Sequence, residues 1–323
     1  MPPAYPVRVV RSPLALAALA TVAVPGLDAF DVRRPARPGT DFDTAVVIDG
    51  HRNRWVVRAP QHAAAGAALE AEVVLLSMLS AECEAGRLPF AVPAPVGFAH
   101  LPEGGRAAVH AEIPGGPLRL ERLAPGPGLA AALGRAIAAV HELPTSLVEN
   151  AGLPAYDAGE YRQRRQAEVD EAARTGKVPP ALLRRWEERL EDVALWRFRP
   201  TVVHGDLTSD RVLVHGDTVT GLLHWGDACV ADPADDLAWL LVTAPADAMD
   251  SIMEAYQMRR TELTDPHLAD RALLAGELAL ARWLLYGVRT QDDEIIDDAV
   301  AMLEDLDAHT REDHDAEAAP QLA

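Results

Sequence analysis

Apolar and polar residues alternate through the first third of the chain in the two-residue rhythm of a sheet. Asp43–Asp49 (DTAVVID) and Arg54–Ala59 (RWVVRA) are strand-like runs joined by the turn-forming Gly50-His51-Arg52-Asn53. An Ala/Leu segment from about Gln61 to Cys83 has no interior proline and predicts a long helix. Pro95–His100 and Arg106–Ile113 flank Pro102-Glu103-Gly104-Gly105, the pattern of a hairpin. Ahead of these, Leu14–Val24 is an apolar run of eleven residues between Pro13 and Pro25, well short of the ~20 a bilayer helix needs. Ser12 and Pro13 supply a cap and a first-turn residue, so this run reads as a helix of a soluble protein, and no membrane span is expected.

Pro114-Gly115-Gly116-Pro117 then punctuates the chain, and the strand rhythm stops. The remainder predicts helices near 127–142, 157–174, 180–196, 233–244, 246–262, 266–288 and 292–307. One β-rich island interrupts them: Thr201–Val203, a loop, then Val212–Val214 and Thr218–Leu223 around His215-Gly216-Asp217. The expected organisation is an α+β chain in two lobes. Residues 1–114 form a small sheet lobe, 115–307 a helical lobe with the island inserted, and 308–323 a disordered acidic tail.

Composition narrows the function. The chain of 323 residues has a net charge of −19, which argues against a nucleic-acid or anionic-membrane surface. The acidity is uneven: Gln291–Ala323 carries twelve acidic residues and one arginine, so it supplies −11 of the total. Two cysteines, Cys83 and Cys229, make neither a disulfide framework nor a cysteine zinc site and fit a reducing cytoplasm. Lys177 is the one lysine, so nearly all positive charge is arginine.

The chemistry gathers in the island, TVVHGDLTSDRVLVHGDTVTGLLHWGDACVADPADDLAW. A strand delivers His204-Gly205-Asp206 onto a loop, and His224 to Asp232 emerges from the far strand of the hairpin. This order resembles the catalytic segment of the aminoglycoside/macrolide phosphotransferase superfamily, whose fold is protein-kinase-like. Gly39-Thr40-Asp41-Phe42, Arg54–Pro60, Ala138–Pro144 and Asp232–Ala238 look most like its macrolide 2′-phosphotransferase branch. The resemblance implies Asp206 as the base that accepts a hydroxyl proton, with His204 bracing the loop. It also implies a cation on the third strand and an acidic partner on the following helix. Arg58 holds the strand position, and Glu72, with Glu70 as the alternative, the helix position. Backbone groups of Ala111 and Ile113 would read the purine edge of ATP or GTP. Asp232 and Asp236 are expected to support the loop from below, and the helices of 157–196, with Tyr156, Tyr161, Trp186 and Trp196, to wall the acceptor side.

Two positions depart from the superfamily. Its magnesium ligands are an Asn, or in some macrolide enzymes a His, after four residues that follow the His-Gly-Asp, and an Asp at the end of the hairpin. Here those positions hold Arg211 and His224. Arginine cannot coordinate a metal, and Mg²⁺ prefers oxygen to imidazole nitrogen. Asp210 and Asp227 are the nearest substitutes. The leading expectation is a monomeric cytoplasmic O-phosphotransferase, using Mg²⁺ if active and acting on a small hydroxylated molecule such as a macrolide or aminoglycoside. A catalytically silent nucleotide- or drug-binding protein and a metabolite kinase are the alternatives.

Overall fold

The computed structural model describes residues 10–34, 41–262 and 265–318. Gly39 and Thr40 of the motif, and 319–323 of the expected tail, lie outside them. The chain begins with α1 (Pro13–Ala23), whose first turn is closed by Ser12 Oγ accepting from the Ala15 amide. Next come β1 (Ala29–Arg33), β2 (Phe42–Asp49), β3 (Arg54–Pro60), α2 (Ala63–Glu84), β4 (Gly97–His100) and β5 (Arg106–Ala111). The five strands form one antiparallel sheet in the order β1-β2-β3-β5-β4. Strict alternation along β2 buries Asp43, Ala45, Val47 and Asp49, and the apolar pair meets Leu16, Ala20 and Ala23 of α1. The expected apolar helix is therefore present and lies against the sheet.

Edge strand β1 was not expected. Its alternation is weak and its Phe30 is exposed, so backbone pairing to β2 rather than burial defines it. A second departure concerns α2, which by length and composition alone is long and apolar enough to cross a membrane. Here it is a core helix: Leu75, Leu76 and Leu79 join the central cluster, and Glu72 is buried midway along the same side.

The chain continues through β6 (Gly116–Pro117), α3 (Leu129–His141), α4 (Ser146–Asn150), α5 (Ala158–Arg174) and α6 (Pro180–Glu191). The island supplies β7 (Thr201–Val203), β8 (Val212–His215), β9 (Thr218–Leu222) and β10 (Cys229–Ala231). The helices α7 (Ala234–Thr243), α8 (Ala246–Arg259), α9 (Leu268–Thr290) and α10 (Asp293–Ala318) complete it. Short β6 pairs with β8 at the side of the β8–β9 hairpin, and β7 pairs antiparallel with β10. Two apolar clusters fill this part. One joins α2, α3, α7 and α8 beneath the hairpin; the other joins α5, α6, α9 and α10.

Within the expected tail of 308–323, the described residues up to Ala318 continue helix α10. The helix from Asp293 to Ala318 contains no proline or glycine, and its inner face is anchored by buried Ala299 and Leu303. An Arg311–Asp307 pair at 2.6 Å adds an i,i+4 contact that offsets some of the acidic repulsion.

Candidate active site

The loop after β7 is built from below. Asp236, fully buried in the first turn of α7, accepts the main-chain N–H of His204 at 2.7 Å and of Gly205 at 2.9 Å. Its Oδ2 also lies 3.2 Å from His141 Nε2, whose other ring nitrogen meets Tyr256 Oη at 2.8 Å. Those partners assign a neutral His141 that donates from Nε2 and accepts from the tyrosine hydroxyl. Burial raises the Asp236 carboxyl, but the hydrogen bonds from His141 and the loop backbone outweigh it and hold it below the usual carboxylate range. Asp232 braces a different contact, with Arg271 Nε donating to it at 2.6 Å and the Ala234 amide at 3.0 Å. Asp236 thus supports the loop as expected, whereas Asp232 holds Arg271 and the start of α7 instead of the loop.

His204 is also buried, and its Nε2 lies 2.8 Å from the Leu223 carbonyl while the ring packs 4.8 Å from Trp225. Burial holds this imidazole below its ordinary pKa, so it ties the loop to the hairpin as a neutral group. Gly205 turns the chain at φ +82°, and a Cβ there would lie 2.3 Å from the Asp227 carbonyl oxygen. Only glycine fits this crossing. It brings Asp206 out half-exposed at the wall of a cleft of about 860 Å³.

On the sheet side, Arg58 Nη1 donates to both carboxylate oxygens of Glu72 at 2.9 Å, and its guanidinium sits 4.5 Å over the Phe42 ring. Glu72 Oε1 also accepts the Trp225 main-chain N–H at 3.2 Å, which links the sheet helix to the end of the hairpin. The alternative, Glu70, is engaged elsewhere, by Arg106 at 2.7 and 2.8 Å. At the end of β5 the Glu112 amide donates to the Arg54 carbonyl, so Ala111 and Ile113 turn their main-chain groups to the opposite side. The Ala111 carbonyl meets His110 Nδ1 at 2.8 Å.

The two unusual positions lie at the junction of these parts. Arg211 Nη1 donates to the main-chain oxygen of Asp206 at 2.5 Å and also pairs with the Asp206 carboxylate. His224 occupies the left-handed region at φ +65°, a conformation uncommon outside glycine and a mark of a constrained site. The residue is exposed overall, yet the crowding protein and the charges of Arg58 and Arg211 push its pKa down to about 4. Of the possible substitutes, Asp210 is exposed and is bound by Thr208 Oγ1 at 2.6 Å, whereas Asp227 lines the cleft. Among the described residues, no three His, Cys, Asp or Glu side chains gather as a metal site.

The acceptor side of the cleft was only partly visible in the sequence. Tyr156 and Tyr161 line it, but Trp186 and Trp196 are buried in the neighbouring core. The residues not anticipated are Arg164, Arg165 and Glu168 on α5 and Arg282, Trp283 and Tyr286 on α9. The helical spacing of 164/165/168 and 282/283/286 was the available signal, since such residues share one face. Arg165 pairs with Glu168 at 2.7 Å and Asp235 at 3.1 Å, and the Trp283 and Tyr286 rings stack at 5.5 Å. Cys229 also lines the cleft, but burial pushes its thiol up to about 12, which leaves it protonated and poorly nucleophilic.

A sheet lobe carrying a paired cation, joined to a helical part carrying a braced His-Gly-Asp loop, is the architecture of the protein-kinase-like phosphotransferases. Residues 32–274 match the phosphotransferase enzyme family, and the chain belongs to it. Among solved structures it is similar to the apoenzyme of macrolide 2′-phosphotransferase MphH from Brachybacterium faecium, at 24% identity. That match covers 90% of this chain and 97% of the other with a TM-score of 0.76. A type I macrolide 2′-phosphotransferase is 26% identical, covering 92% and 98% at a TM-score of 0.74. The GDP complex of aminoglycoside 2′-phosphotransferase-IIIa shares the fold at 19% identity, 93% and 100% coverage and a TM-score of 0.75. The uncharacterized protein YcbJ of Bacillus subtilis (strain 168) is 25% identical over 201 residues, 61% of this chain. The match spans 66% of YcbJ's own length.

Proposed function

We propose that the protein transfers the γ-phosphoryl group of ATP or GTP to a hydroxyl of a small molecule, with a macrolide or aminoglycoside antibiotic as the acceptor class. The observation that carries this is the placement of Asp206, on a loop held by Asp236 and His204, at the wall of a cleft large enough for such a molecule. The Asp206 carboxylate takes the proton of the acceptor hydroxyl as its oxygen bonds to the γ-phosphorus. The bond from that phosphorus to the β,γ-bridging oxygen breaks, and the nucleoside diphosphate leaves. Arg58, fixed by Glu72, holds nucleotide phosphates, while main-chain groups of Ala111 and Ile113 read the purine edge. A triphosphate donor is a cytoplasmic metabolite, which makes the cytoplasm the compartment of the reaction, and a single chain suffices to form the cleft.

The residues at the expected magnesium positions do not fit that ion, because the Arg211 guanidinium has no lone pair to offer and the His224 imidazole stands where a carboxylate belongs. No step above is assigned to it. The pairing of Arg211 with Asp206 favours a second reading, a protein that binds nucleotide or drug without turnover. The test is mass spectrometry of panels of macrolides, aminoglycosides and simple sugar alcohols after incubation with protein and ATP or GTP. A phosphorylated macrolide or aminoglycoside supports the antibiotic reading, and a phosphorylated sugar alcohol alone supports the metabolite-kinase alternative. Nucleotide binding with no phosphorylated product in any panel refutes transfer in favour of the silent protein.

A further inference from the structure

We infer that the protein holds nucleotide phosphates without a divalent cation, with Arg211 and Arg58 supplying the positive charge, an inference that rests on the nucleotide site proposed above. Arg211 stands on the loop one turn after Asp206 and donates to that residue's main-chain oxygen at 2.5 Å while pairing with its carboxylate. It therefore neutralises one acidic group beside the phosphate-binding region and offers no lone pair to a metal. His224, at the other expected position, is a nitrogen donor held within electrostatic reach of both Arg58 and Arg211. A divalent cation entering here would find Glu72 and Asp206 already paired with Arg58 and Arg211, so it would have to displace a guanidinium to gain a carboxylate ligand.

The possible oxygen donors do not reverse this. Asp210 is bonded to Thr208 and exposed outside the cleft lining. Asp227 lines the cleft, but it lies within the field of Arg211, which competes with a metal for it. An arginine can supply the charge that the metal would otherwise bring. It stays charged in a buried place, and its planar fork matches two phosphate oxygens at once. The free protein thus has Arg211 on Asp206, and an arriving nucleotide draws Arg211 onto its phosphates. That exchange releases the Asp206 carboxylate at the moment a donor is present.

Calorimetric titration of the full chain with GTP and with ATP tests this, in EDTA and then in Mg²⁺ or Mn²⁺. Affinity in EDTA should equal or exceed affinity with the metal. Arg211→Ala should weaken metal-free binding about ten- to hundredfold, the loss of charge-assisted hydrogen bonds, and Arg211→Lys should restore part of it. Metal that tightens binding by about tenfold or more overturns the inference, and so does wild-type affinity in Arg211→Ala. If neither nucleotide binds in either buffer, the nucleotide site itself is refuted, a result distinct from metal-dependent binding.

Discussion

Replacing Asp236 with asparagine should loosen the His204-Gly205-Asp206 loop from its support while changing a single atom. The carboxylate is fully buried and accepts N–H groups of His204 and Gly205 at 2.7 and 2.9 Å, with His141 Nε2 at 3.2 Å. An amide keeps one acceptor oxygen, so in either orientation its NH₂ faces at least one main-chain N–H. Losing one hydrogen bond to a charged group costs about 1.5–3 kcal/mol, and the buried donor left unpaired adds about 1–3 kcal/mol. The expected loss is therefore about 2.5–6 kcal/mol, a large share of the about 5–15 kcal/mol that stabilises a typical protein. Urea unfolding followed by tryptophan fluorescence reads it directly, because buried Trp225 packs on His204. Hydrogen exchange should show the His204 and Gly205 amides losing protection ahead of the rest of the chain. A variant within about 0.5 kcal/mol of wild type, as is usual for surface changes, would refute the support role.

Two further perturbations follow from the same geometry. Gly205→Ala must place a Cβ 2.3 Å from the Asp227 oxygen at φ +82°, and the left-handed backbone alone costs about 1–3 kcal/mol; an unchanged urea midpoint would contradict the crossing. Stability should also fall with acid. Burial holds His110 down to about 4 and keeps His141 and His204 below their ordinary range, so the unfolded chain takes up protons first as pH drops below about 6.5. The stability these three contribute is complete above that pH and is lost as pH falls toward their folded values. His110 alone accounts for about 2 kcal/mol by pH 5. Equal unfolding free energies at pH 8 and pH 5 would contradict it.

The sheet was legible because β2 and β3 alternate and are closed by turn residues, and the loop because His204-Gly205-Asp206 follows a fully buried strand. The resemblance implied a cation on the third strand, and Arg58 holds the matching position where the one lysine, at 177, is absent. The choice of Glu72 over Glu70 rested on its place beside the leucines of α2, and the Arg106 pair on Glu70 shows the other half of that geometry. What stayed hidden depends on contacts between distant segments. Arg211 closing on Asp206 from across a turn has no sequence pattern, nor do α5 and α9 meeting through Arg165, Glu168 and Arg282 to line the cleft. Edge strand β1 and the short β6 are held by backbone pairing, which leaves little trace in side-chain periodicity.

The most direct measurement compares phosphate release or transfer from GTP and ATP by the wild type and Asp206→Asn, with a hydroxylated acceptor or with water in its place, in Mg²⁺ and in EDTA. Asp206 is half-exposed, so the variant should keep wild-type stability and still bind nucleotide. Its turnover should fall by about 10²-fold or more, the usual contribution of a positioned base. Wild-type turnover in the folded variant would contradict the account at its centre.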